Sequence, residues 1–481
     1  MRRLLNGRRL SFGWVRTFVF VSPFCAATAI PATAQTLTTL VSFNDTDGAE
    51  PNIVPVQGRD GNYYGMTGTG GANNAGTIFK VTPTGALTTL YNFCSQPGCV
   101  DGINTPLIGG GLVLATDGNF YGSTPLGGPN STCNGGGQSC GTVFKITPGG
   151  VLTTLHSFNG TDGSFPNGMV QATDGNLYGT GQEGGANGAG TFFKMTRSGT
   201  LTTLYNFCSQ SNCTDGGDPS SAPVQATDGN FYGTTFGGGS GQGGGTVYKI
   251  TPKGKFTVLA TMGGSPAGAL VQGSDGNFYG TGARSGTVFK VTPSGTLTTL
   301  GFVGQYAYAG LVQATDGNFY GTVYGQPGTV FAITPGGTVT TQYTFCSQPS
   351  CIDGDYPLAG LMQSTNGNLY GATIVGGADT SCNLIQGASG CGTVFSLSMP
   401  GLSPFVEAVT YSGRVGATIQ FLGQGFNRST TVSFNGTPAA PNVKSGTYLT
   451  AAVPSGATTG FVTITTSSGS LQSNKIFRVI P

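Results

Sequence analysis

LVQATDGNFYG, Leu311 to Gly321, returns almost letter for letter along this chain of 481 residues, and its copies decide the fold. The hexapeptide DGNFYG or a close variant begins at Asp60, Asp117, Asp174, Asp228, Asp275, Asp316 and Asn366. Each copy is followed by a Gly-rich stretch and then by a second signature: GTIFK at Gly76, GTVFK at Gly141, GTFFK at Gly190, GTVYK at Gly245, GTVFK at Gly286, GTVFA at Gly328 and GTVFS at Gly392. A third, close to LTTL, starts at Leu37, Leu87, Leu152, Leu201, Phe256, Leu297 and Val339. One unit therefore reads as four short strands, LVQAT, NFYGT, GTVFKIT and TLTTLYNF. Asp-Gly joins the first two, and a P-x-G turn such as Pro293-Ser294-Gly295 joins the last two.

Hexapeptides recur every 41 to 57 residues, and the variation sits in Gly-rich or Cys-bearing segments that must be loops. Seven four-stranded units of this size predict an all-β fold, a seven-bladed β-propeller over residues 35–400. An LTTL strand precedes the first hexapeptide, while the seventh unit ends at GTVFSLS without one. The N-terminal strand Leu37 to Phe43 is therefore expected to supply the outer strand of the last blade and close the ring.

Composition agrees. Glycine accounts for 86 residues and charged residues for 8%, and no long stretch carries apolar residues at helical spacing. Residues 1–34 read as a secretory signal: early arginines, an apolar run from Phe18 to Ile30, and Ala32-Thr33-Ala34 before Gln35. Without the five arginines of that leader, 15 basic residues face 18 acidic ones and the formal charge moves from +2 to −3. That balance argues against a nucleic-acid partner. No later segment is apolar enough to span a membrane. A secreted, extracellular or cell-surface protein is expected, with the periplasm as the other compartment that fits.

The ten cysteines after the leader form local pairs: Cys94 with Cys99, Cys133 with Cys140, Cys208 with Cys213, Cys346 with Cys351, and Cys382 with Cys391. In an exported chain these read as disulfide-closed loops. Metal binding is the rival, but the chain has one histidine, His156.

Residues 402–481 change character. GATIQFLGQGF, TTVSFNGTPA, LTAAVPSGATTGFVTITT and KIFRVIP are alternating strands with regular turn signals, predicting an Ig-like β-sandwich without a disulfide. The G-x-x-I-x-F-x-G-x-G-F run, the V-P-x-G-A-x-x-G segment and the terminal F-x-V resemble an IPT/TIG domain. That resemblance implies a spacer or interaction module and brings no catalytic residues. The repeats, through DGNxYG, the following G-T-V-F and L-T-T-L-x-x-F, resemble the GloVer tandem repeat of bacterial secreted and surface proteins, called choice-of-anchor after their varied attachment signals. This resemblance implies fold and location rather than an activity.

Candidate chemistry starts with the repeated Asp. Asp-Gly is a preferred pair for a two-residue type I′ hairpin, in which both positions take positive φ, and Asn366-Gly367 is the other favoured pair. The seventh copy thus keeps the turn and drops the charge. The recurrent tyrosines, Tyr64 to Tyr370, are expected to pack between blades with hydrogen-bonded hydroxyls rather than to stack on sugars. Gln57, Gln171, Gln225, Gln272, Gln313 and Gln363 recur in the innermost strand, either facing the central channel or satisfying backbone between blades.

A second Asp-Gly series, Asp47, Asp101, Asp162, Asp215 and Asp353, lies in the inter-blade connections on one face of the disc. A calcium or sugar site is one reading of it, because carboxylate and carbonyl oxygens suit calcium; plain Asx turns are the other. No other cofactor is indicated. His156 occupies a strand position held by tyrosine in sister units, so histidine-based catalysis has little support. The expectation is a non-catalytic binding or scaffold protein whose ligand is a carbohydrate or a protein. The alternatives are a carbohydrate-active enzyme using acids of the inter-blade loops and a purely structural envelope protein.

Overall fold

A computed structural model describes residues 35–104, 111–130, 133, 139–240, 244–382 and 389–480. The expected leader lies outside them. The protein is all-β and propeller-like: the repeats form six four-stranded sheets and one five-stranded sheet. In the unit that begins at Leu311, Val312–Gln313 pairs with Phe319–Val323, which pairs with Thr329–Ile333, which pairs with Val339–Thr344, all antiparallel. Successive residues of a strand point to opposite faces. Phe319 and Tyr320 are nevertheless both buried, because neighbouring sheets cover both faces. Gly321 makes room for the strand beside it, since a Cβ there would come within 2.7 Å of the Phe331 ring.

The Asp-Gly turn departs from the expected type I′ hairpin. Gly317 takes φ 84°, but Asp316 is not among the residues of positive φ. The backbone closes from Gly317 N to Ala314 O and from Ala314 N to Asn318 O, both at 2.9 Å. Thr315 and Asp316 thus form a right-handed turn, and glycine supplies the single left-handed residue. The carboxylate explains the choice. Its Oδ1 accepts from Asn318 N at 3.0 Å and its Oδ2 from the Tyr320 hydroxyl at 2.8 Å, which holds Asp316 facing back along the turn. In the seventh copy the polarity reverses, and Asn366 Nδ2 donates to the Tyr370 hydroxyl at 2.8 Å. The tyrosine rings pack between sheets, as Tyr232 on Phe278 at 3.9 Å and Tyr279 on Phe319 at 4.0 Å.

These turn carboxylates carry a pH prediction. Burial alone pushes Asp228 up, but hydrogen bonds from Asn230, Lys249 and Tyr232 outweigh it and take the group down to about 2. An unfolded Asp titrates near ~3.9. The stabilisation is therefore complete above that value and is lost as pH falls through the folded one. The melting-temperature advantage of wild type over Asp228→Asn should shrink steadily between about pH 5 and pH 2. A constant difference across that window would contradict it.

The recurrent glutamines do both things expected of them. Gln225, Gln272, Gln313 and Gln363 line the central cavity. Each also accepts, through Oε1, a backbone N–H of the preceding sheet: Thr173, Thr227, Ser274 and Thr315, at 2.8–2.9 Å. Gln57 accepts from Thr365 N at 3.1 Å and so ties the first repeat to the last. The N-terminal strand Thr36–Ser42 pairs antiparallel with Thr393–Ser398, from Thr36↔Ser398 to Ser42↔Thr393, joining the two ends of the repeat region.

All five cysteine pairs are disulfide-bonded. Among the described residues no helix is long and apolar enough to cross a membrane. Beyond Pro404 two four-stranded sheets and a parallel strand pair enclose a core that includes Ile419, Phe421, Phe434, Leu449 and Ile464.

Candidate functional site

The five Asp-Gly carboxylates of the connections are each engaged in their own turn. Asp215 is fully buried and accepts from the Tyr205 hydroxyl at 2.6 Å, from Ser209 N and Oγ at 2.8 and 2.9 Å, and from Gln210 N at 3.1 Å. Asp101 and Asp353, also fully buried, repeat this with Tyr91, Ser95 and Gln96, and with Tyr343, Ser347 and Gln348. In all three the disulfide loop wraps the carboxylate. His156 stands in for the tyrosine, its Nε2 meeting Asp162 Oδ2 at 2.8 Å while Asn159 N donates to Oδ1 at 3.0 Å. Asp47 accepts from Asn44 N at 3.0 Å. Among the described residues the only group of three or more that could share a metal ion is Cys346, Cys351 and Asp355, and both cysteines are in a disulfide.

A different space stands out. A cavity of about 1150 Å³ runs along the first strands of the sheets, with Val56, Val113, Val224, Val271, Val312 and Met362 in its wall. The reason is local: in each first strand Leu or its equivalent packs between sheets, so the alternate residue, usually valine, faces the axis. Such volume is at or above the range of roughly 300–1,000 Å³ typical of small-molecule pockets.

The sheets beyond Pro404, hereafter the C-terminal domain, line one end of this cavity, through Glu407, Tyr411, Phe461, Lys475 and Arg478. Burial pushes the Glu407 carboxyl up, and nearby Lys475 partly opposes it. The Lys475 ammonium lies 5.3 Å over the Tyr411 ring, and the Tyr411 hydroxyl donates to Asn474 Oδ1 at 2.5 Å. The other end is lined by the residues that begin the first strands, among them Asn52, Ser221, Ala267, Tyr308 and Leu358.

The position of that domain has a readable cause. In the second unit Leu114 stands where the other units carry the bridging glutamine, so this junction lacks the bridge. There the C-terminal domain supplies one: Gln420 Nε2 donates to Thr116 O at 2.6 Å, and Arg59 Nη2 donates to Gln420 Oε1 at 2.5 Å and to Thr116 O at 2.8 Å. Thr447 Oγ1 donates to Arg59 O at 2.8 Å, and the Arg59 guanidinium lies 4.8 Å over the Tyr448 ring. Leu422 joins a cluster with Ile53, Leu112 and Leu114. Farther round, Arg478 donates to Thr227 O. The residues at the floor of the cavity escape a reading of the sequence, because nothing local in KIFRVIP announces what it faces. The one signal is the missing glutamine at Leu114.

The profile of the Gloeobacter/Verrucomicrobia repeat matches residues 27–135, 130–301 and 208–385. A search of curated proteins gives no match. Among solved structures, a catalytically inactive virginiamycin B lyase from Staphylococcus aureus, with quinupristin, is similar at a TM-score of 0.53 and 15% identity, over 76% of this chain and 99% of that one. A streptogramin B lyase is similar at 0.51 and 13%, over 76% and 98%. At these identities the likeness is one of fold.

Proposed function

The chain belongs to the Gloeobacter/Verrucomicrobia repeat family, and from that footing we propose that it is an exported, non-catalytic binding protein that holds a small apolar or amphiphilic molecule in its axial cavity. In this reading the repeats are the seven blades of one closed propeller, with Thr36–Ser42 completing the last blade, and residues 402–481 are an Ig-like domain that floors the cavity. Residues 1–34 are the leader that directs export, and the five disulfides suit an oxidising compartment.

The observation that carries the reading is the chemistry of the wall. Valines, leucines, alanines and glycines supply more than half of it, charge is confined to the domain at its floor, and an apolar solute gains by leaving water for such a surface. The glutamines of the wall spend both ends of their amides on the sheets, which leaves a sugar few partners along it. A carbohydrate-active enzyme needs two carboxylates facing one space. Asp47, Asp101, Asp162, Asp215 and Asp353 instead serve separate turns, so the binding reading is favoured over the enzyme.

Val271 and Val312 are partly exposed to the cavity, so enlarging them fills it without overpacking the sheets. A Val271→Trp/Val312→Trp variant should melt within a few degrees of wild type yet lose binding of a dansylated fatty acid, followed by the dye's emission. Equal affinity in the two proteins, or no binding by wild type, would remove the proposal.

A further inference from the structure

Left-handed backbone is costly for any residue with a side chain, and costliest for large ones, which is why glycine usually supplies it. This chain has 86 glycines to draw on. Yet one position in the connections between sheets takes positive φ with other residues: Glu50 (56°), Phe165 (50°), Asp218 (56°), Ser265 (44°), Tyr306 (67°) and Tyr356 (53°). Five of the six precede proline, which itself pushes the preceding residue toward extended backbone. The remaining non-glycine residues of positive φ are cysteines held in disulfides, or Asn, Asp and Ser. Among the described residues, every bulky residue in this conformation outside a disulfide therefore sits at one repeated place. The backbone conformation is kept while the side chain varies, so the repeats share a strained bend that turns whichever side chain it carries to the same place.

That place is the mouth of the cavity opposite the C-terminal domain. Each of the six lies two or three residues before the point where its chain enters the cavity wall: Asn52, Gly168, Ser221, Ala267, Tyr308 and Leu358. Tyrosines run along one side of the mouth. Tyr306, half exposed at 50%, lies 5.8 Å from Tyr308, which lies 5.8 Å from Tyr324, which lies 5.0 Å from Tyr356. Elsewhere on the mouth burial pushes the carboxyls of Glu183 and Asp218 up, and the nearby charge of Asp218 adds to the rise at Glu183.

We propose that this rim is a second binding site, distinct from the apolar cavity, and that it takes a neutral oligosaccharide. Tyrosine faces stack on the C–H faces of sugar rings, and carboxyl oxygens accept from their hydroxyls. The repeated position itself carries no lysine or arginine, and Arg284, the cation that Tyr308 feels, already lies 5.1 Å over the Phe236 ring. Tyr306 is exposed and Tyr308, Tyr324 and Tyr356 are half-buried, and their centroids, in steps of 5.8, 5.8 and 5.0 Å, run far enough for more than one sugar unit.

Glycine substitutions test the rim cleanly, because glycine suits the left-handed backbone and cannot cost the fold its geometry. Calorimetric titration of the full chain with cellohexaose, laminarihexaose and mannohexaose should show binding of at least one. Tyr306→Gly/Tyr356→Gly should weaken it by about tenfold or more. The same variant, which relieves backbone strain but gives up the packing of Tyr356 on Tyr324, should melt within a few degrees of wild type and still bind the dansylated fatty acid as wild type does, which separates failure of the rim from failure of the cavity. No binding of any hexaose by wild type, or undiminished binding by the variant, overturns the proposal. Binding of hexalysine in place of the sugars would overturn it in favour of a basic peptide.

Discussion

Replacing Phe43 with alanine should destabilise the protein by about 3–5 kcal/mol, the range for truncating a fully buried aromatic ring. Phe43 ends the N-terminal strand that is expected to close the ring. It is fully buried, its ring meets Phe79 edge-on at 5.2 Å, and its N–H donates to Gly392 O at 3.0 Å. It is thus the counterpart of Phe93 and Phe345, which reach across to Phe144 at 5.5 Å and Phe395 at 5.1 Å. In each case the outer strand of one sheet inserts a ring against its neighbour. The contact at Phe43 joins the two ends of the repeat region, so its loss should match that of an internal copy. Urea unfolding of Phe43→Ala beside Phe207→Ala checks this. Equal and large losses are expected; a loss at Phe207 alone would make Thr36–Ser42 an ornament rather than part of the fold.

The strands, their order and the N-terminal pairing are legible in the repeats because periodicity reports burial directly, and seven copies average out local noise. The Asp-Gly turn departs from the type I′ preference of that pair for a reason that is also local. The pair preference counts only backbone needs, whereas Asp316 is held by two bonds to Asn318 and Tyr320 that set its conformation. The hexapeptide itself contained the correction, since the accepting Asp, the donating Asn and the donating Tyr are all in it.

The site was less legible. Asp-Gly in the connections looked like a set that could converge, but the residues that occupy those carboxylates, Tyr205 and Ser209 around Asp215 for instance, are neighbours in sequence and satisfy each one where it stands. The cavity wall was within reach, because valine alternates with leucine in each first strand. Its floor was not, because docking depends on the outward face of one domain meeting one junction of another, and no periodicity spans that distance.

The docked domain itself should come away when Leu422 is changed to aspartate. In Thr418–Leu422, Ile419 and Phe421 point into the C-terminal core, while Gln420 and Leu422, on the opposite face, meet the repeats. Leu422 is 3% exposed and belongs to one buried cluster with Ile53, Leu112 and Leu114 of the repeats. An aspartate there places an unpaired charge among them, a cost of several kcal/mol that undocking removes, since the same side chain on a separated domain faces water. The C-terminal domain should stay folded, because its core does not use this residue alone. Small-angle scattering should show a more extended particle, thermal unfolding should split into two transitions, and the dansylated fatty acid should bind more weakly once the floor is gone. Leu114→Gln offers the converse: it restores the bridging side chain of the other junctions and, by taking the apolar partner from Leu422, should loosen the domain by a smaller amount. A compact Leu422→Asp protein with a single transition would show that the polar contacts of Gln420, Thr447 and Arg478 hold the domain by themselves.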